Sequence, residues 1–374
     1  MRPLASVGGV LIVIAMTSSV LRTLVVPRRL QSKIAHAAFT ATLTPFRVLA
    51  RRTNSYLARD RILAWPGPLS IIVTLVVWLL GYLLGYSLLI YGLDSTLALS
   101  TAAREAGSSL FTLGFASTDR GQLTAVDFLA AATGPVIIGL LIGYLPTIYG
   151  AYNRRETDVT MLESRAGEPN WGPEILGRHA AIAAVDSLDG LFNSWERWTA
   201  DISESHTNYP VLIHIRSSQP MRHWIIGMLS VMDAAAMQLA LAPQLPQGHA
   251  RIALRQGFVA MRDLAQVEGI PFDPDPSPDG DIDLTADEFA TAVTDVVGRG
   301  FPASRTAVEA WPHFRGWRIN YESIAYALAK RLDAPPALWS GNRAGTLQAI
   351  APRRPINREP GGRTGPPDLS GPAN

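Results

Sequence analysis

The sequence predicts an all-α membrane protein: three transmembrane helices with a short re-entrant helix and loop between the second and third, an α-helical cytoplasmic domain, and a disordered C-terminal tail. Three observations carry this expectation. The 374 residues are 48% hydrophobic, with a mean hydropathy of +0.14, which is apolar for a chain folding in water. The apolar residues gather in three long stretches before Tyr152, whereas charged residues recur every few positions from Asn153 onward with no apolar run long enough to span a bilayer. Beyond that boundary the apolar residues are spaced at three and four, the helical period.

The first span runs from about Val7 to Val26, with Arg22 near one end. The second runs from Leu69 to Tyr91 without a charge, opens after Trp65-Pro66-Gly67-Pro68, and carries Tyr82, Tyr86 and Tyr91 toward its far end, where interfacial aromatics belong. The third runs from Val126 to Tyr149 and is followed by Arg154 and Arg155. Each is long enough to cross about 30 Å of hydrocarbon.

Between the first two spans lie Arg28, Arg29, Lys33, Arg47, Arg51, Arg52, Arg59 and Arg61, with no acid before Asp60. By the positive-inside rule that loop faces the cytoplasm, so the protein is a multi-pass inner-membrane (plasma-membrane) protein with its N-terminus outside and its C-terminal domain cytoplasmic. The loop also interleaves Leu30, Ile34, Phe39, Leu43, Phe46 and Leu49 with its cations, as helices broken at Pro45 lying on anionic lipid. A cleaved signal peptide is the alternative for the first stretch, with Ala15 to Ser18 as small residues; its sparse n-region argues against it.

Composition closes several function classes. Net charge is +2 and no basic stripe with aromatics occurs, so no nucleic-acid partner is expected. The absence of cysteine removes disulfides, thiolate metal sites and cysteine nucleophiles. No Gly-rich phosphate loop or hydrolase elbow appears, and the chain is read as a non-enzyme without a cofactor.

The segment 95–120 is too short to span and too apolar for a plain exposed loop. Its pattern predicts a short helix over Ala98–Phe111 and an extended strand through Thr112, Leu113, Gly114, Phe115 and Ala116. Irregular backbone at membrane depth is tolerated where protein or a water-filled path surrounds it. The order of span, short helix, Thr-x-Gly-aromatic-small and span over about residues 71–152 resembles the two-helix potassium-channel pore domain.

That resemblance implies a homotetramer in which the carbonyls of Thr112–Ala116 and the Thr112 hydroxyl replace the hydration shell of a monovalent cation, potassium in the family. Ala116 stands where the family has its second glycine and Ser117 where it usually has aspartate, which puts selectivity in question. Gly139, Gly143 and Pro146, after Gly134-Pro135, punctuate the third span as a hinge or as a close-packing face. In the same terms the basic segment is similar to a slide helix. The alternative function is a non-conducting membrane anchor whose cytoplasmic helical domain binds a protein partner.

The expected organisation is a first span (1–26), a basic interfacial segment (27–66), a pore-like domain (67–152), a cytoplasmic helical domain (153–343) serving assembly or gating, and a disordered tail (344–374). In the helical domain, stripes occur at Ile182, Val185, Leu188, Phe192 and Trp195; at Trp224 to Leu239; at Leu254, Phe258, Met261 and Leu264; and at Ile324, Leu328 and Leu332. Asp275, Ser277, Asp279, Asp281 and Asp283 resemble the opening of a calcium-binding loop, but Ala286 replaces the bidentate glutamate at position twelve. An acidic turn before a helix capped by Thr285 and Glu288 is favoured. His206, His214 and His223 lack ligand spacing and are read as scattered. Asp186, Asp189 and Glu196 are read as a solvated face.

Overall fold

The computed structural model describes residues 2–26, 32–116 and 121–341. Arg28, Arg29, Ser117, Asp119 and the 344–374 tail lie outside the described residues. The described chain is helical, with no strand among those residues. Its helices are α1 (Arg2–Val20), α2 (Lys33–Ala50), α3 (Tyr56–Leu63), α4 (Pro66–Leu93), α5 (Leu99–Leu110), α6 (Gly121–Ala166), α7 (Gly172–Ala181), α8 (Leu188–Asn208), α9 (Val211–His214), α10 (Trp224–Leu241), α11 (Gly248–Glu268), α12 (Ala286–Gly298), α13 (Ala307–Arg318) and α14 (Glu322–Arg331). Packing divides the chain into two units, one formed by 1–154 with 204–216, the other by 155–203 with 217–374.

In the first unit α4 is the central helix, packed against α1, α2 and α5. It starts at Pro66, where proline suits a first helical turn because its missing N–H would go unbonded there anyway. α1 runs antiparallel to α4 along a seam of small residues. A Cβ on Gly9 would lie 2.6 Å from the Gly85 carbonyl oxygen, one on Gly81 would meet the Met16 sulfur at 2.5 Å, and Gly92 sits under Ser6 and the Arg2 carbonyl. Such close approach is how helices associate where no water is present to drive them together. Trp78 Nε1 donates to Ser19 Oγ at 2.9 Å and Thr17 shares a hydrogen bond with Tyr82 OH at 2.9 Å, so the polar atoms at this seam are paired.

Two helices outrun their sequence boundaries. α2 continues through Pro45 without the expected break, with Pro45 on an exposed face. α6 continues through Pro135 and Pro146 and past the composition boundary at Tyr152, covering 46 residues. A change from apolar to charged residues marks a change of surroundings, not the end of a helix, since Glu, Arg, Met and Leu after Asn153 are good helix formers.

The second unit is built on α10, all 18 residues of which are buried by α7, α11, α13 and α14. Among the described residues, α10 is by length and composition one of four helical stretches apolar enough to cross a membrane, the others lying over Arg2–Val25, Tyr56–Leu93 and Gly121–Ala166. This differs from the expectation of no such run after Asn153. Its enclosure by its own unit makes it a core helix. At its middle Asp233 pairs with the fully buried Arg318 at 2.5 Å and accepts from Tyr321 OH at 2.7 Å. Arg318 also bonds Glu322, Tyr326 OH and the Trp339 carbonyl, so the buried guanidinium is well supplied with partners.

The stripe at Ile182–Trp195 is not one helix. α7 ends at Ala181, Ala183 adopts the left-handed conformation (φ 53°), and Ile182 is 67% exposed. The stripes in α10, α11 and α14 are helical as expected, and α12 opens with a capping box between Thr285 and Glu288. α12 is tied to α7 by Arg299, which with Arg178 holds the buried Glu174 at 2.6 and 2.7 Å.

Gly9→Ala forces α1 off the α4 backbone and lowers stability by about 1–3 kcal/mol, whereas Gly8→Ala, where a Cβ meets nothing within 4 Å, leaves it unchanged or slightly raised; thermal unfolding of the purified protein distinguishes them. Burial pushes the Glu174 carboxyl up, but hydrogen bonds from Arg178 and Arg299 outweigh it and hold the group below the ordinary value of 4.5. The unfolded chain therefore binds this proton more readily, so the contribution is complete above about pH 4.5 and is lost as pH falls through the lowered folded value. Glu174→Gln should cost about 1.5–3 kcal/mol at pH 7 and progressively less below pH 4, read from hydrogen exchange of α7 and α12.

Candidate functional site

The segment between α4 and α6 is positioned from both sides. Asp94 ends α4, and its Oδ1 accepts from the Thr96 N–H (2.8 Å) and hydroxyl (2.7 Å), turning the chain toward α5. Arg2 Nη1 donates to the Asp94 carbonyl at 2.5 Å and lies over the Tyr91 ring. Ala102, Ala106 and Leu110, one per turn of α5, are fully buried against Trp78, Tyr82, Tyr86 and Ile90 of α4 and Leu123, Val126, Ala130 and Ile137 of α6. Helix formation over 99–110 agrees with the expected 98–111 to within a residue at each end.

α5 and α6 run in the same direction. Ser109 Oγ donates to Asp127 Oδ1 at 2.7 Å, Glu105 bonds Asp127 as well, and further along a Cβ on Gly134 would overlap the Leu110 carbonyl oxygen. From Gly121 to Gly134 is about 20 Å along α6 at 1.5 Å per residue. The carbonyl end of α5 therefore lies near the middle of the apolar part of α6, and absence of a side chain at Gly134 is what admits it. Tyr86 and Thr133 share a hydrogen bond at 2.8 Å at this level. Glu105 is 4% exposed, and its Oε1 has no hydrogen-bond partner.

The stretch Thr112–Ala116 is not a uniform strand. Phe111 ends α5, Thr112 is left-handed (φ 53°), and the Leu113 and Thr112 N–H groups donate to the Ser108 (2.8 Å) and Ser109 (3.0 Å) carbonyls. These are the paired bonds of a Schellman cap, a place usually given to glycine. The Thr112 hydroxyl bonds the Phe111 carbonyl. Gly114 is left-handed too (φ 70°), and Ala116 N–H returns to Ser108 Oγ at 3.0 Å. The cap bonds fall on backbone carbonyls, so the Ser108 hydroxyl, which accepts from the Ala116 N–H, is the local side-chain signal for this loop geometry. Phe111, Leu113 and Phe115 are exposed in the single chain, with the Arg104 guanidinium 5.9 Å from the Phe115 ring centroid.

Gly139 and Gly143 face open space in the single chain, and α6 is unbroken at Pro146. In the acidic loop Asp279 bonds Arg315, the Asp283 N–H donates to Glu322, and Glu288 caps α12. Among the described residues no three His, Asp or Glu side chains are gathered as metal ligands. His206 is buried beside Ser205, the His214 ring lies tilted against Phe39, and His223 caps α10, three separate structural settings.

No protein-family model matches the chain, and no solved structure matches it. The chain is similar to an uncharacterized membrane protein of Bacillus subtilis (strain 168), YdjJ, with 25% identity over 189 residues, covering 47% of this chain and 53% of that protein. The chain thus spans about half the length of that curated relative.

Proposed function

We propose that the protein is an inner-membrane, pore-loop cation channel assembling as a homotetramer, in which α1, α4 and α6 span the bilayer and α5 with 111–116 forms the re-entrant segment. The observation that carries this reading is the lodging of the α5 carbonyl end against Gly134, midway along the apolar part of α6. A helix end at that depth leaves carbonyls that hydrocarbon cannot satisfy, and the Schellman cap together with a water-filled axis would satisfy them. The same carbonyl end carries the negative pole of the helix dipole, which favours a cation beside it.

Other features support the reading. α1 and α4 are antiparallel, which puts the N-terminus at the end where α4 finishes and α6 begins. At the opposite end Val48, Leu49, Leu57 and Trp65 are exposed beside Arg51, Arg52 and Arg61, apolar groups and cations suited to an anionic lipid interface. Phe111, Leu113 and Phe115, exposed in one chain, are surfaces that neighbouring copies would cover. In this arrangement Leu113–Ala116 faces the permeant ion, while Thr112 closes α5, and Ala116 in place of a second glycine favours relaxed selectivity among monovalent cations. The C-terminal unit serves assembly or gating.

The test is cation flux into liposomes holding the purified protein, potassium against sodium. Gly114→Ala places a side chain in open space but on a left-handed backbone, at a cost of about 1–2 kcal/mol, so insertion and assembly persist while flux falls at least tenfold. A non-tetrameric particle without flux would instead favour the anchor that binds a protein partner.

A further inference from the structure

Residues 204–216 follow and precede chain that packs in the second unit, yet they pack in the first. Their contacts are specific. Arg216 Nε pairs with Asp60 Oδ1 at 2.5 Å and Arg216 Nη2 donates to Tyr56 OH at 3.0 Å, joining the segment to α3. His214 lies 4.6 Å from the Phe39 ring of α2. Gly67, in the first turn of α4, is free of a side chain where a Cβ would meet Ile215 Cγ1 at 3.1 Å and the His214 carbonyl at 3.2 Å. On the α6 side, Leu212 and Ile215 are buried with Ile148 and Ala151, and Tyr209 meets Tyr144 edge-on at 5.5 Å.

One short segment therefore touches the interfacial helices α2 and α3, the start of α4, and residues 144–152 of α6. Asp60 is the sole acid among the many cations of residues 27–66, and both it and Arg216 are largely removed from water, with side chains 10% and 7% exposed. Pairing a carboxylate and a guanidinium there fixes position strongly, because separating them strands a charge in a poorly solvated site. α8 runs without interruption from Leu188 to Asn208, so this segment is also the covalent continuation of a helix that begins in the second unit.

We infer that residues 204–216 are a coupling wedge: movement of α8 is transmitted to the 144–152 stretch of α6, with the Asp60–Arg216 pair as the latch that holds the wedge against α3. On the channel reading, on which the functional half of this inference rests, that stretch of α6 surrounds the inner mouth, and the wedge is how the C-terminal unit gates it. Asp60 and Arg216 are positioning residues that act through α6.

The experiment uses the full chain in lipid nanodiscs, with hydrogen exchange read by mass spectrometry and cation flux read in liposomes. Asp60→Asn and Arg216→Gln should each raise exchange about tenfold in 56–63, 204–216 and 144–152 together, and the double variant Asp60→Arg with Arg216→Asp should return all three toward wild type. Tyr209→Ala, which leaves the latch intact, should raise exchange in 144–152 without raising it in 56–63. Exchange that rises in 56–63 and 204–216 while 144–152 stays unchanged would overturn the coupling, as would no rise at all. Coupled exchange accompanied by altered flux supports both halves, whereas coupled exchange in a wild-type protein that passes no cation supports the wedge and removes the channel reading.

Discussion

The approach of the Leu110 carbonyl to Gly134 governs the arrangement of the first unit. A side chain larger than hydrogen at residue 134 would drive α5 away from α6, unseat Ala106 and Leu110 from the α4 aromatics, and break the register in which Ser109 and Glu105 reach Asp127. The cap at Thr112 follows from the same placement. A helix that ends among apolar neighbours must satisfy its last carbonyls locally, and the bonds from Leu113 and Thr112, with Ser108 Oγ holding Ala116, supply partners within the loop.

The two units solve the problem of buried polarity differently. In the first, hydroxyls link the helices in small groups along the seams, as where Ser19 joins Trp78 and Ser32 and where Tyr86 meets Thr133. In the second, one guanidinium, Arg318, gathers Asp233, Glu322, Tyr326 and the Trp339 carbonyl around the wholly buried α10. Partnered this fully, Arg318 secures α13, α14 and the 333–341 segment to the core helix, and its loss would strand two buried carboxylates.

Much of this architecture was legible in the residues, because it rests on local rules. The helix over 99–110, the capping box of Thr285 and Glu288 and the stripes of α10, α11 and α14 each follow from spacing or cap chemistry within a few positions, whereas α4 starts at Pro66, inside the stretch read as the break before Leu69. What escaped the sequence was long-range or depended on context. Asp60 and Arg216 are 156 residues apart, and nothing local to either announces the other. Pro45 read as a break, yet it sits inside α2, whose neighbours tolerate one missing hydrogen bond, and Pro135 and Pro146, read as a hinge or packing face, sit inside an α6 that continues beyond both. Thr112 read as the first residue of a strand because a left-handed threonine is a rare choice for a helix cap.

The central claim is that α5 descends to mid-bilayer and the chain after it climbs back. Since the chain has no cysteine, single spin labels at Ser95→Cys, Leu113→Cys and Gln122→Cys in bilayers report depth directly through their accessibility to oxygen against a water-soluble nickel complex. The account predicts labels at 95 and 122 near the headgroups and the label at 113 about 10 Å or more deeper. Equal, shallow depths at all three positions would make the segment a surface loop and contradict it.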